Sequence, residues 1–159
     1  MKRYFQFFLT AFFSLPFLYA SGQDPEVALA RDVSVCWVEP GVLSLSFTCP
    51  RSVMMGGKTM LRICPEVRRE GRRLARFAPV VYLSRAGKRY FERRQQYRPD
   101  AMLAEAHLLV PGGDMCDTTY TYRDTLAVGA MNEGVLVMDY YCTDCCSDHL
   151  LLSETADVP

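Results

Sequence analysis

The densest chemistry in this sequence is a run near its C-terminal end, Cys142-Thr143-Asp144-Cys145-Cys146, with His149 three residues further on. Thiolates are nucleophiles, redox partners and soft metal ligands, so the spacing admits three readings. The first is a disulfide, local or long-range. The second is a set of packed thiols, because free cysteine often behaves as a small hydrophobe. The third is a redox or metal site built on Cys142, Cys145 and Cys146. Zinc usually takes four ligands from two paired clusters, and only one Cys-x-x-Cys pair is present here. A thioredoxin-like pair would open a helix after a strand in a βαβ unit, and no such unit is visible. The neighbours Cys145 and Cys146 suit a disulfide least, since adjacent Cα atoms lie ~3.8 Å apart and disulfides prefer ~4.4–6.8 Å.

Seven cysteines is an odd number, so at least one thiol has no partner within the chain. Cys116, just after Pro111-Gly112-Gly113, is the candidate for it. Cys36 and Cys49 fall on runs that read as one hairpin and could meet, and Cys36 is also a candidate partner for the Cys142 cluster. Other chemistry is thin. Acyl transfer needs a nucleophile, a base and a group that orients the base. The two histidines offer little: His107 sits in an apolar run, and His149 follows the cysteines beside Leu150–Leu152. Gly56-Gly57-Lys58 and Gly112-Gly113 lack the spacing of a phosphate loop. Asp114 and Asp117 read as loop carboxylates. No catalytic residue, cofactor site or metal ligand is therefore expected, and the chain reads as a non-enzyme.

The elements that must carry these residues begin after a leader. Lys2 and Arg3 precede an apolar stretch from Tyr4 to Ala20, then small residues at Ala20, Ser21 and Gly22, then polar ones from Gln23. That is the order of a secretory signal peptide over residues 1–22. Export permits disulfides. Removing 22 of the 159 residues leaves 137, enough for one domain with a real core. Residues 23–32 are expected to be a mobile mature N-terminus, 33–146 the domain, and 147–159 a C-terminal tail.

Period-two alternation dominates the domain, which argues for strands. Val33, Val35 and Trp37 alternate with polar residues, as do Leu43, Leu45 and Phe47, and Pro40-Gly41 between them is a turn signal. Leu61, Ile63 and Val67 mark a third strand, placed at an edge or a bulge by Pro65. Leu74–Leu83 is another strand candidate, and Val135–Cys142 the last clear one. Pro99–Glu105 is the one short helix expected. The fold class is all-β, a two-layer Ig-like sandwich of about seven or eight strands with at most one short helix. Trp37, Leu45, Phe47, Ile63, Val81, Leu136 and Met138 should be buried.

Charge is uneven. From Arg68 to Arg98 there are ten arginines and one lysine against two glutamates; from Asp114 to Asp157 there are nine carboxylates against Arg123. Both could be solvated strand faces, and the two could face each other and cancel. The functional reading is a basic face for an acidic partner or a membrane surface. Without the leader the formal net charge is −2, which argues against nucleic acid.

Several stretches in order, Gly41–Phe47, Leu61–Val67, Phe77–Leu83 with Gly87–Tyr90, Tyr120–Leu126 and the strand into Cys142–Cys146, give a resemblance. The chain resembles the uncharacterised secreted domain of Bacteroidota envelope proteins, often found ahead of an OmpA-like module and encoded near fimbrillin genes. The resemblance implies a periplasmic or outer-membrane accessory domain with an envelope protein partner and no assigned catalytic residues. With Pro159 as the last residue, no OmpA-like module is expected here, which removes the usual means of cell-wall attachment.

Overall fold

A computed structural model describes residues 5–6, 29–110, 118–129, 133–144 and 147–159. These form ten strands and two helices: β1 Phe5–Gln6, β2 Arg31–Glu39, β3 Val42–Pro50, β4 Met60–Arg69, β5 Arg72–Arg76, β6 Val80–Leu83, α1 Arg85–Tyr97, α2 Ala101–Ala104, β7 His107–Leu109, β8 Thr119–Ala127, β9 Gly134–Thr143 and β10 Asp148–Val158. One sheet has the order β1-β2-β3-β8 and the other β10-β9-β4-β6-β7, with β5 also beside β4. The all-β, two-layer architecture expected from the alternation is the one observed.

The alternation works as expected on β3, where every second residue from Leu43 to Cys49 turns inward. Leu45, Phe47, Ile63, Leu136 and Met138 lie between the sheets at no more than 1% exposure. Two tyrosines tie the sheets together. Tyr82 on β6 donates to the carbonyl of Pro50 on β3, and Tyr122 on β8 donates to Ala78 O at 2.6 Å. Burial pushes both phenols well above the ordinary tyrosine range, so they stay protonated donors.

Four expectations need correction. The 147–159 segment is not a tail: β10 pairs with β9 along its length, and Trp37 Nε1 donates to Pro159 O at 2.6 Å. That bond leaves Trp37 partly buried, packed against the core rather than within it. The N-terminal boundary shifts too, because Leu29 and Ala30 are buried in the core and β2 starts at Arg31; residues 23–28 lie outside the described residues. Pro65 lies on a central strand, between β9 and the β5/β6 pair. It is tolerated because β6 faces Met60–Ile63 and β5 faces Glu66–Arg69. Pro65 O accepts from Phe77 N in the gap between them, so the missing N–H removes no ladder bond there.

The fourth correction is helical. In place of one short helix there are two, and α1 has 13 residues. Strands β6 and β7 run parallel, and parallel neighbours need a crossover, which α1 and α2 supply. Ser84 caps α1 by accepting from Gly87 N at 2.9 Å, and Asp100 caps α2 by accepting from Met102 N at 2.9 Å. The helices cover one end of the larger sheet's outer face. Phe91 and Leu103 close there over Met60, Val81 and Leu83 in a second, smaller core. Val81 is thus buried as expected, but under a helix rather than between the sheets.

Candidate functional site

The outer face of the larger sheet is divided in two. On β4 the inward residues are Leu61, Ile63 and Val67, so Met60, Arg62, Cys64, Glu66 and Arg68 point the other way. Met60 goes under the helices. The others, with Asp139 and Tyr141 from β9, floor a cleft of about 590 Å³ whose sides carry Arg73, Arg76 and Met102. The hairpin that raises Arg73 and Arg76 turns at Glu70 and Gly71, both at positive φ. That is the geometry of a two-residue turn matched to strand twist.

The cleft holds a mixed ion network. Arg68 pairs with Glu66 and, at 3.5 Å, with Asp139; Arg73 reaches Glu66 at 4.0 Å. Asp139 also accepts from Ser153 Oγ at 2.5 Å. Arg62 pairs with Asp148 at 2.8 Å and lies over the Tyr141 ring, 5.1 Å from its centre. Arg62, Glu66 and Asp139 are all buried. Cys64 is the one thiol here, and burial pushes it up to about 11, against the pull of Arg62. It remains a neutral thiol at physiological pH and is not an activated nucleophile.

Beside the cleft, α1 presents Arg85, Lys88, Arg89, Arg93 and Arg94 to solvent, with Tyr90 and Tyr97 also exposed. Among the described residues its one ion pair is Lys88–Glu92 at 3.9 Å. The two charged regions of the sequence therefore meet in part. Asp139 from the acidic half sits against Arg68, and Asp148 against Arg62 just before the basic stretch, whereas the α1 arginines form no ion pair among the described residues.

The cysteine cluster is only partly within the described residues. Cys142 is on β9 in the inter-sheet core at 3% exposure, opposite Leu61 on β4 and His149 on β10. Cys145, Cys146 and Cys116 lie outside the described residues. Cys36 and Cys49 are free and do not meet: Cys36 pairs in register with Ser44 on β3, while Cys49 is buried opposite Tyr120 on β8. Cys36, being free, also does not bond to Cys142. His149 Nε2 contacts both Asp144 Oδ2 at 3.1 Å and Ser147 Oγ at 3.0 Å. A hydrolytic triad divides its partners between the two ring nitrogens, so this is not one. His107 Nδ1 meets Tyr120 OH at 2.5 Å beside Tyr122, which makes it a packed strand residue. Among the described residues no three His, Cys, Asp or Glu side chains gather as metal donors.

Two features here escaped the sequence reading. Helix α1 has only Gly87 and Phe91 buried, too few apolar residues for a 3.6-residue rhythm; Ser84 as N-cap and Pro99 beyond the end were the usable signals. Arg62 fell outside the counted basic stretch, although its phase with Arg68 on β4 was readable. No family model matches the chain, and no curated protein or solved structure does so either. No helix among the described residues is long and apolar enough to cross a membrane.

Proposed function

We propose that this chain is a non-enzymatic accessory module of the cell envelope, exported to the periplasm or the outer membrane, that docks on an acidic partner. The observation that carries the reading is the α1 surface. Five exposed cations on one helix share a single glutamate, and two tyrosines stand among them. Arginines at this density, without an ion pair among the described residues, seek carboxylates or phosphates, which an envelope protein or membrane surface offers. The leader-like order of residues 1–22 supports export, and removal of that leader would take away only the two-residue edge strand β1, leaving β2-β3-β8. The unactivated thiol at the cleft floor and the undivided His149 contacts support a binding role over chemistry. An alternative, thiol-redox or metal work through Cys142, Cys145 and Cys146, gains nothing from Cys142, which is packed in the core.

Crosslinking and copurification from envelope fractions test the reading. The wild-type protein should come out with a partner, and Arg89→Glu with Arg93→Glu should lose it while leaving the fold intact. A wild-type protein that emerges alone and fully soluble ends the proposal. Stoichiometric zinc by elemental analysis would replace it with the metal alternative.

A further inference from the structure

We infer that the cleft on β4, β5 and β9 binds an oxyanion, a carboxylate or phosphate group, at a site separate from the α1 surface. Most charges in the cleft are already satisfied. Glu66 holds Arg68 and Arg73, Asp139 holds Arg68 and Ser153, and Asp148 holds Arg62. Every carboxylate is engaged, so a cation finds no open partner. The donors are not all engaged. Four guanidiniums meet three carboxylates, leaving one positive charge over.

Two donors carry that surplus. Arg76 is exposed, and among the described residues its guanidinium meets only the thioether of Met102, Nη1 to Sδ at 3.2 Å, a weak acceptor. Arg62 is 9% exposed, and its Nε is the one buried side-chain nitrogen or oxygen without a partner among the described residues. An enclosed N–H with no acceptor is unfavourable, and an acceptor brought into the cleft relieves it. Asp148 is half exposed at the start of edge strand β10, so it can re-solvate as Arg62 turns to a ligand. Guanidinium forks match oxyanions in two-point contacts, and the Tyr141 ring already orients the Arg62 plane. Cys64 stays neutral and adds no competing negative charge. The volume falls in the range of small-molecule sites, ~300–1,000 Å³.

The test uses the whole protein with three probes: inorganic phosphate, sodium acetate and phosphatidylglycerol vesicles. The readouts are the dissociation constant and the Arg62 Nε–H resonance, which is shielded from solvent. Phosphate or acetate should move that resonance saturably. Arg76→Gln, and Arg62→Lys, which keeps the cation but loses Nε–H, should each weaken binding about tenfold, the value of one charge-assisted bond. Arg89→Gln on α1 should bind the small anions as wild type does, so this result is independent of envelope docking. If Arg76→Gln also abolishes vesicle capture, the oxyanion is a lipid headgroup; if vesicle capture ignores Arg76, it belongs to a free small ligand. Both results uphold the site. No saturable shift with any probe, or equal affinity in wild type and both cleft variants, overturns it.

Discussion

The two faces of β4 are built from alternate residues of one strand and obey different rules. Inward, Leu61, Ile63 and Val67 are at most 2% exposed and belong to the inter-sheet hydrophobic core. Outward, Arg62, Glu66 and Arg68 are held by ion pairs, and Cys64 lies among them. The inner face draws its stability from water excluded over a wide area, roughly 25 cal/mol per Å² of apolar surface. The outer face draws little net stability from its charges, because desolvation offsets most of the Coulomb gain. The two faces divide the labour. The dry face fixes the strand, and the fixed strand holds the charged side chains at set spacings without their having to stabilise the fold.

The largest loss of stability is expected in the inter-sheet core. Phe47 is 1% exposed and stacks on Tyr122 with ring centres 4.5 Å apart. Phe47→Ala should cost about 3–5 kcal/mol in urea unfolding. A loss under about 1 kcal/mol would mean that the inter-sheet face does not carry the fold.

The helix-covered part of the outer face should respond next. A Cβ at Gly87 would sit 1.9 Å from Thr59 O, backbone that cannot step aside. Alanine normally improves a helix, yet Gly87→Ala should destabilise by about 1–3 kcal/mol through overpacking. A rise in stability would show that α1 is not seated on the sheet.

The charged part comes third. Asp139→Ala leaves Arg68 with Glu66 alone and Ser153 Oγ without its acceptor. The expected cost is about 1–2 kcal/mol, at the lower end for a buried hydrogen-bonded group because Arg68 is partly solvated. A cost matching that of Phe47→Ala would erase the distinction between the faces.

The smallest effect is a pH signature. Burial raises the Cys64 thiol to about 11, so folding favours its protonated form. That contribution is complete below the unfolded thiol range, near 8.5, and is lost as pH rises through about 11. At neutral pH alkylation of Cys64 should be slow, rising about tenfold per pH unit as thiolate forms. Peptide mass mapping after timed alkylation reads this directly, and rapid labelling at pH 7 would contradict it.

The strands were legible because a half-buried strand writes its burial in period two, as Leu43-Ser44-Leu45-Ser46-Phe47 does. The turn at Pro40-Gly41 was legible for a local reason too: Gly41 takes a φ of 77°, and the sequence offers glycine there. Helix α1 was not, because a helix that buries only Gly87 and Phe91 carries almost no apolar rhythm. Strand β10 was not, because an edge strand with one covered side mixes Leu, Ser, Glu and Thr without a clean pattern. The basic stretch from Arg68 to Arg98 was visible as composition, but composition does not say which arginines find carboxylates.

Residue type and short-range spacing sufficed for the all-β class, most of the inter-sheet core and the concentration of arginine, since each depends on a few neighbouring positions. Tertiary packing settled that Asp139 and Asp148 quench Arg68 and Arg62, while the α1 arginines form no ion pair among the described residues. It also decided that Pro65 sits in the middle of a sheet, and that Cys142 is packed in the core while Cys36 and Cys49 stand apart. Those outcomes rest on register between strands far apart in the chain. Register is fixed by the summed burial of two whole faces, a quantity that no local window of residues contains.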